Sequence, residues 1–62
     1  MSQSQFYAMA DAAFEALDDG GSLKQAREGA EARAVAGRYD YEPGDVDAAV
    51  QDAIDEMRRE RT

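Results

Sequence analysis

The shortage of large apolar side chains is the feature that most limits what this chain can fold into. Leu, Ile, Val and Phe together number eight among 62 residues, and alanine supplies most of the other apolar positions. A domain of this size buries only about 60% of the surface that its unfolded chain exposes. Alanine is the strongest helix former but adds little core volume. The composition therefore favours helices that pack closely through small side chains, although it is also compatible with disorder in isolation.

The spacing of apolar residues predicts an all-α fold, a small three-helix bundle that forms one acidic domain over residues 1–62. Apolar side chains recur at steps of three and four positions, which places them on one stripe of a helix. The predicted helices cover about residues 4–17, 23–36 and 44–59. Ser2 or Ser4 can cap the first helix. Ser22 and Gln25 form a capping box for the second helix, and Pro43 opens the third.

The second predicted helix has the thinnest apolar stripe. Gly29 lies near its middle, at a cost of about 1 kcal/mol relative to alanine. Asp18, Asp19, Gly20 and Gly21 end the helix before it, and Gly37 ends the second helix itself. Its inward side is predicted to consist of Leu23, Ala26, Ala30 and either Ala34 or Val35.

Two tyrosines lie between Gly37 and Gly44, where Pro43 disfavours helical geometry at the residue before it. A single strand in this segment would have no strand to pair with. We therefore predict a connector in which Tyr39 and Tyr41 pack back onto the helices. Tyrosine is also enriched in binding hot spots, because it combines a broad apolar ring with a polar hydroxyl. Tyr39 and Tyr41 are thus candidate partner-binding residues as well as candidates for covering the core.

The charge of the chain restricts its possible partners. Fourteen acidic residues against seven basic ones leave a net charge of −7, and the chain contains neither histidine nor cysteine. A strongly anionic surface attracts basic partners and is repelled by nucleic acid and anionic lipid. Without His or Cys, the chain can perform neither Ser-His nor Cys-His catalysis. It also cannot form thiolate metal sites or disulfides. Since a signal peptide pattern is also absent, we expect a cytoplasmic, non-enzymatic protein without metal or cofactor, and without direct contacts to nucleic acid or membrane.

Helical periodicity places acidic residues away from the apolar stripes of the first and third helices. Steps of four residues along a helix rise by about 6 Å, a spacing comparable in scale with that of phosphates along a nucleic acid strand. Two such acidic strips can imitate a phosphate backbone. The same arrangement also results from solvated helix faces that aid solubility, or from adaptation to high salt. The candidate partner-binding acids are Asp11, Glu15, Asp18, Asp45, Asp52, Asp55 and Glu56.

In its size, its acidity, these seven acids and its lack of catalytic residues, the chain resembles the small anti-CRISPR and other DNA-mimic proteins of phages and mobile elements. The resemblance implies a non-enzymatic inhibitor that blocks a basic nucleic-acid-binding protein, such as a CRISPR effector subunit. The alternative is a small helical regulatory or antitoxin-like module that binds its partner through Tyr39 and Tyr41. A homodimer through the alanine-rich faces is also compatible with the sequence.

Overall fold

Three α-helices make up the bundle. The computed structural model describes residues 1–61, in the order α1 (Gln3–Asp18), α2 (Leu23–Ala36) and α3 (Pro43–Glu60). α1 packs against both other helices, and α2 and α3 also contact each other. The described residues contain no strand. The predicted all-α three-helix bundle is therefore confirmed, and each helix limit differs from its predicted position by at most one residue.

Reciprocal hydrogen bonds set the beginnings of α1 and α2. Ser2 Oγ accepts from the Gln5 backbone N–H at 3.2 Å, and Gln5 Oε1 accepts from the Ser2 N–H at 3.0 Å. Ser22 and Gln25 repeat this arrangement at 3.2 and 2.8 Å. These bonds satisfy amide groups that have no partner inside the helix. The capping box at Ser22 is confirmed, and Ser2 is the residue that caps α1.

The first turn of α3 contains Asp45, one of the acids predicted to bind a partner. Pro43 is the first residue of α3, where its missing N–H costs nothing. The Glu42 N–H donates a hydrogen bond to Asp45 Oδ2 at 2.9 Å, and Asp45 is half-buried. Its negative charge is also favourable near the positive end of the helix dipole. The structure therefore gives Asp45 a capping role.

Both α1 and α2 end in a turn that requires one residue in the left-handed region. Gly20, with φ of +86°, takes that position after α1, as expected from its lack of a Cβ. After α2 the left-handed residue is Arg38, with φ of +56°. The Tyr39 N–H then donates to the Ala34 carbonyl at 2.8 Å. Gly37 is the C-cap of α2 with an ordinary negative φ, and a Cβ there would overlap the ring of Tyr39, so a larger residue would force that ring to move.

Alanine dominates the core. Met9 is the one large side chain that is fully buried among the described residues. Larger apolar side chains such as Phe6, Phe14, Leu17 and Ile54 are half-buried and border the core. Small buried side chains let the helix backbones approach closely, as the composition predicts. The buried residues are Met9, Ala10, Ala13, Ala26, Ala30, Ala34, Val46, Ala49, Val50 and Ala53.

The inward side of α2 consists of alanine alone. Ala26, Ala30 and Ala34 are each 0% exposed, whereas Leu23 and Val35 are 58% and 61% exposed. The prediction that Leu23 faces inward is wrong, because Leu23 is the first residue of the helix and lies one turn before the core begins. Of the two alternatives near the end of α2, Ala34 is the buried one. These alanines pack inside the bundle, so a homodimer through them would require the bundle to open.

Gly29 offers a stabilising substitution. A Cβ at Gly29 would lie 3.4 Å from the Ala12 carbonyl oxygen, which is an ordinary van der Waals distance. Alanine is favoured over glycine in a helix interior by about 1 kcal/mol. We expect Gly29→Ala to raise the midpoint of thermal unfolding by about 4–8 °C. Circular dichroism during heating measures this change, and a lowered midpoint would show that α1 and α2 leave no room for the added methyl group.

Candidate functional site: an acidic groove between α1 and α3

The negative charge of the protein is concentrated on two of its three helices. α1 carries three acidic residues and no Lys or Arg, and α3 carries six acidic residues against two arginines. α2 is close to neutral, with two acidic and three basic residues. One of these, Arg27, pairs with Asp47 of α3 at 2.7 Å. Because α1 and α3 pack against each other, the two helices with an excess of carboxylates are neighbours in the bundle.

A groove of about 470 Å³ lies between α1 and α3. We call it the acidic groove. Three of its carboxylates, on Asp52, Glu56 and Glu60, occupy positions i, i+4 and i+8 of α3. They therefore form a row with about 6 Å of axial rise per step. Asp11 adds a fourth carboxylate from α1. The complete lining is Tyr7, Ala10, Asp11, Phe14, Asp52, Ala53, Glu56, Arg59 and Glu60.

Little of the charge in the acidic groove is neutralised within the molecule. Arg59 Nη1 lies 3.3 Å from Glu56 Oε2, and the two side chains are 73% and 51% exposed. Exposed ion pairs of this kind contribute little to stability and are easily exchanged. No ion pair involves the other three groove carboxylates in the part of the chain that the structure describes. The groove therefore presents carboxylates that an external cation can reach.

An ordered aromatic ring lies beside these carboxylates. Tyr7 is 52% exposed. Its ring meets that of Phe6 edge-on, with the centroids 5.8 Å apart and the planes at 66°. Its hydroxyl oxygen accepts a hydrogen bond from Gln3 Nε2 at 3.2 Å. Edge-to-face contact and this hydrogen bond restrict the ring, so the groove contains a positioned aromatic surface as well as negative charge.

The structure brings together some of the predicted partner-binding acids and separates others. Asp11, Asp52 and Glu56 meet in the acidic groove. Glu15 and Asp18 are exposed on α1 but do not line the groove. The two remaining predicted acids, Asp45 and Asp55, lie on α3 and are also outside the groove. Asp45 caps the helix, and Asp55 accepts a hydrogen bond from Gln51 Nε2 at 3.1 Å.

Apart from the buried Ala10 and Ala53, four lining residues were not predicted from the sequence: Tyr7, Phe14, Arg59 and Glu60. Glu60 continues the i, i+4 row begun by Asp52, and a predicted helix end at residue 59 excludes it by one position. Tyr7 precedes Asp11 by four residues, so the two share a face of α1. These spacings were the available signals. Phe14 and Arg59 belong to the groove only because of how α1 and α3 pack.

Tyr39 and Tyr41 lie outside the acidic groove. Both are half-buried and pack against the core, which confirms that the connector folds back onto the helices. The ring of Tyr39 lies directly over Gly37. Part of the apolar surface of both rings is therefore already used inside the molecule.

Comparisons of the chain with protein-family models, curated proteins and solved structures found no match. Within residues 1–61, none of the helices has the length and apolar character needed to cross a membrane. In the same part of the chain, no group of three or more acidic side chains is arranged to hold a metal ion. The kind of ligand that fits the acidic groove is therefore inferred from the side chains that line it.

Proposed function

We propose that this protein is a non-enzymatic inhibitor that binds a basic nucleic-acid-binding protein and occludes its DNA or RNA site, as an anti-CRISPR protein does to a CRISPR effector. The observation that supports this proposal is the meeting of accessible carboxylates from α1 and α3 in one groove. Surfaces that bind nucleic acid present Lys and Arg to phosphates. A groove with four carboxylates attracts the same cationic side chains.

The spacing of the carboxylates determines how closely the groove can imitate the phosphates of a nucleic acid strand. One strand of DNA carries a charge for every 3.4 Å of helix axis, whereas the row on α3 carries one for about every 6 Å. The row therefore has roughly half the linear charge density of a strand, and Asp11 adds charge from the opposite wall. We infer that the protein competes with nucleic acid for cationic side chains without copying the phosphate positions one by one.

A regulatory or antitoxin-like module that binds through Tyr39 and Tyr41 accounts less well for the surface. Those rings are half-buried against the core, while Tyr7 in the acidic groove is 52% exposed. The two functions differ in their dependence on salt, because screening lengths fall to about 8 Å at 0.15 M ionic strength. Binding through carboxylates weakens steeply with salt, and binding through apolar rings does not.

Affinity capture with a charge-neutralised variant tests the proposal. The groove variant replaces all four groove carboxylates: Asp11→Asn, Asp52→Asn, Glu56→Gln and Glu60→Gln. We expect the native protein, at about 0.05 M salt, to retain a nucleic-acid-binding protein that added duplex DNA releases. Loss of the close charge pairs is expected to weaken capture by the groove variant at least about tenfold.

A matched control removes the same number of charges elsewhere. Four exposed acids outside the acidic groove are suitable: Asp19→Asn, Glu28→Gln, Glu31→Gln and Asp40→Asn. This variant should retain its partner within about threefold, since its groove is intact. Equal loss in both variants would show that binding depends on total charge alone. A partner that duplex DNA fails to displace would contradict an inhibitor of nucleic acid binding.

A further inference from the structure

We infer that the acidic groove is a docking site for arginine, in preference to lysine, on an extended or helical segment of the basic partner. The geometry points to a guanidinium that lies against the ring of Tyr7 while its N–H groups reach carboxylates of both walls. This inference deepens the proposed function and rests on it for the choice of a basic partner. It adds which side chain the groove selects.

Aromatic and acidic groups stand together in the acidic groove. Tyr7 and Asp11 are one helical turn apart on the same face of α1, and both line the groove, to which α3 contributes Glu56. The ring of Tyr7 is already positioned by Phe6 and Gln3. A cation that enters the groove therefore meets a π-surface and negative charge at once, without first ordering the ring.

Arginine matches this combination better than lysine does. The guanidinium is planar, stacks on aromatic rings, and presents several N–H donors in a fixed fork, so that it can pair with two carboxylates. The lysine ammonium is a compact and strongly hydrated charge. Lysine therefore gains the attraction of the carboxylates but less of the contact with Tyr7.

The groove already contains one guanidinium of its own. Arg59 lines the wall and pairs with Glu56 at 3.3 Å, while its side chain remains 73% exposed. The two residues are three positions apart on the same helix, and a pair so exposed contributes little stability, so an incoming guanidinium loses little by displacing Arg59. A groove of about 470 Å³ has the volume of a small-molecule site. The groove therefore has room for a few side chains from one segment of the partner, but not for the face of a whole domain.

Titration with synthetic peptides tests the preference. Two peptides of about a dozen residues, identical except that one carries four arginines and the other four lysines, are added separately to ¹⁵N-labelled protein at low salt. We expect the arginine peptide to bind about two- to fivefold more tightly, the range of an exposed cation–π contact. The amide shifts should concentrate on residues 7–14 and 52–60.

Substitutions at Tyr7 separate the ring from the charge. Tyr7→Leu keeps an apolar side chain but removes the π-system, so the arginine preference should fall to what the forked N–H donors alone contribute. Tyr7→Phe keeps the ring and should keep the preference. Circular dichroism verifies that each variant is folded. Equal binding by the native protein, a preference that Tyr7→Leu leaves undiminished, shifts centred on α2, or no binding by either peptide would each overturn the inference.

This experiment contains no nucleic acid, so its outcome is independent of the competition assay. An arginine preference together with a captured partner that ignores DNA would refute the proposed inhibitor and leave the groove as an arginine site. Competition with DNA together with equal peptide affinities would leave the inhibitor and refute the arginine preference.

Discussion

Met9→Ala is expected to lower the free energy of unfolding by about 2–5 kcal/mol, the usual cost of truncating a buried methionine or leucine. Met9 is 0% exposed and is the one large side chain fully enclosed by the described residues. The residues fully buried with it are alanines and two valines, whose short side chains can fill little of the cavity. At about 0.05–0.15 kcal/mol per residue, 62 residues provide only about 3–9 kcal/mol, so this one substitution removes a large part of the total stability.

Urea unfolding followed by far-UV circular dichroism measures this loss. Met9→Leu is the matched control, because it nearly conserves the volume and should cost less than about 1.5 kcal/mol. Met57→Ala, at a half-buried position of α3, should fall between the two. If Met9→Ala unfolded at the same urea concentration as the native protein, the core would not depend on its single large buried side chain.

Ala30→Leu is expected to destabilise the protein by about 1–3 kcal/mol or more, because extra methylene groups in a well-packed core force backbone and side-chain shifts. Ala30 is 0% exposed on the inward side of α2. Leucine is more hydrophobic than alanine and a good helix former, so burial and propensity alone would predict a gain. The close approach of the helices through alanine makes steric overlap the larger effect.

Ala32→Leu isolates that steric effect. Ala32 lies on the same helix but is exposed, so the same substitution there should change the free energy of unfolding by no more than about 0.5 kcal/mol. Denaturant titration of both variants provides the comparison. A stabilised Ala30→Leu protein would mean that the core holds unfilled space around α2.

Stability and binding can be tested separately because the core and the acidic groove share few residues. Ala10 and Ala53 are buried and also line the groove, whereas its charged residues lie outside the core. Neutralising those carboxylates removes no core packing. A loss of binding in the groove variant can therefore be assigned to the carboxylates once its helicity is shown to be intact.

Local signals were sufficient to locate the helices. The serine caps, the glycine turn at Gly20 and the apolar steps of three and four each act within a few residues, so each can be recognised without knowing the rest of the fold. The main error in the core, at Leu23, occurred at a helix end, where periodicity continues but no neighbouring helix covers the side chain. α2 ends at Gly37 as predicted, but the left-handed residue of that turn is Arg38 and not a glycine.

The membership of the acidic groove was not available from periodicity. The 3.6-residue repeat assigns each acid to a side of its own helix, and on that basis Asp11 and Asp55 were equally good candidates. Which sides of α1 and α3 face each other depends on how the two helices cross, and that is set by close contacts among buried alanines distant in sequence. Packing therefore joined Asp11 to the row of Asp52, Glu56 and Glu60, placed Tyr7 beside them, and left Asp55 outside.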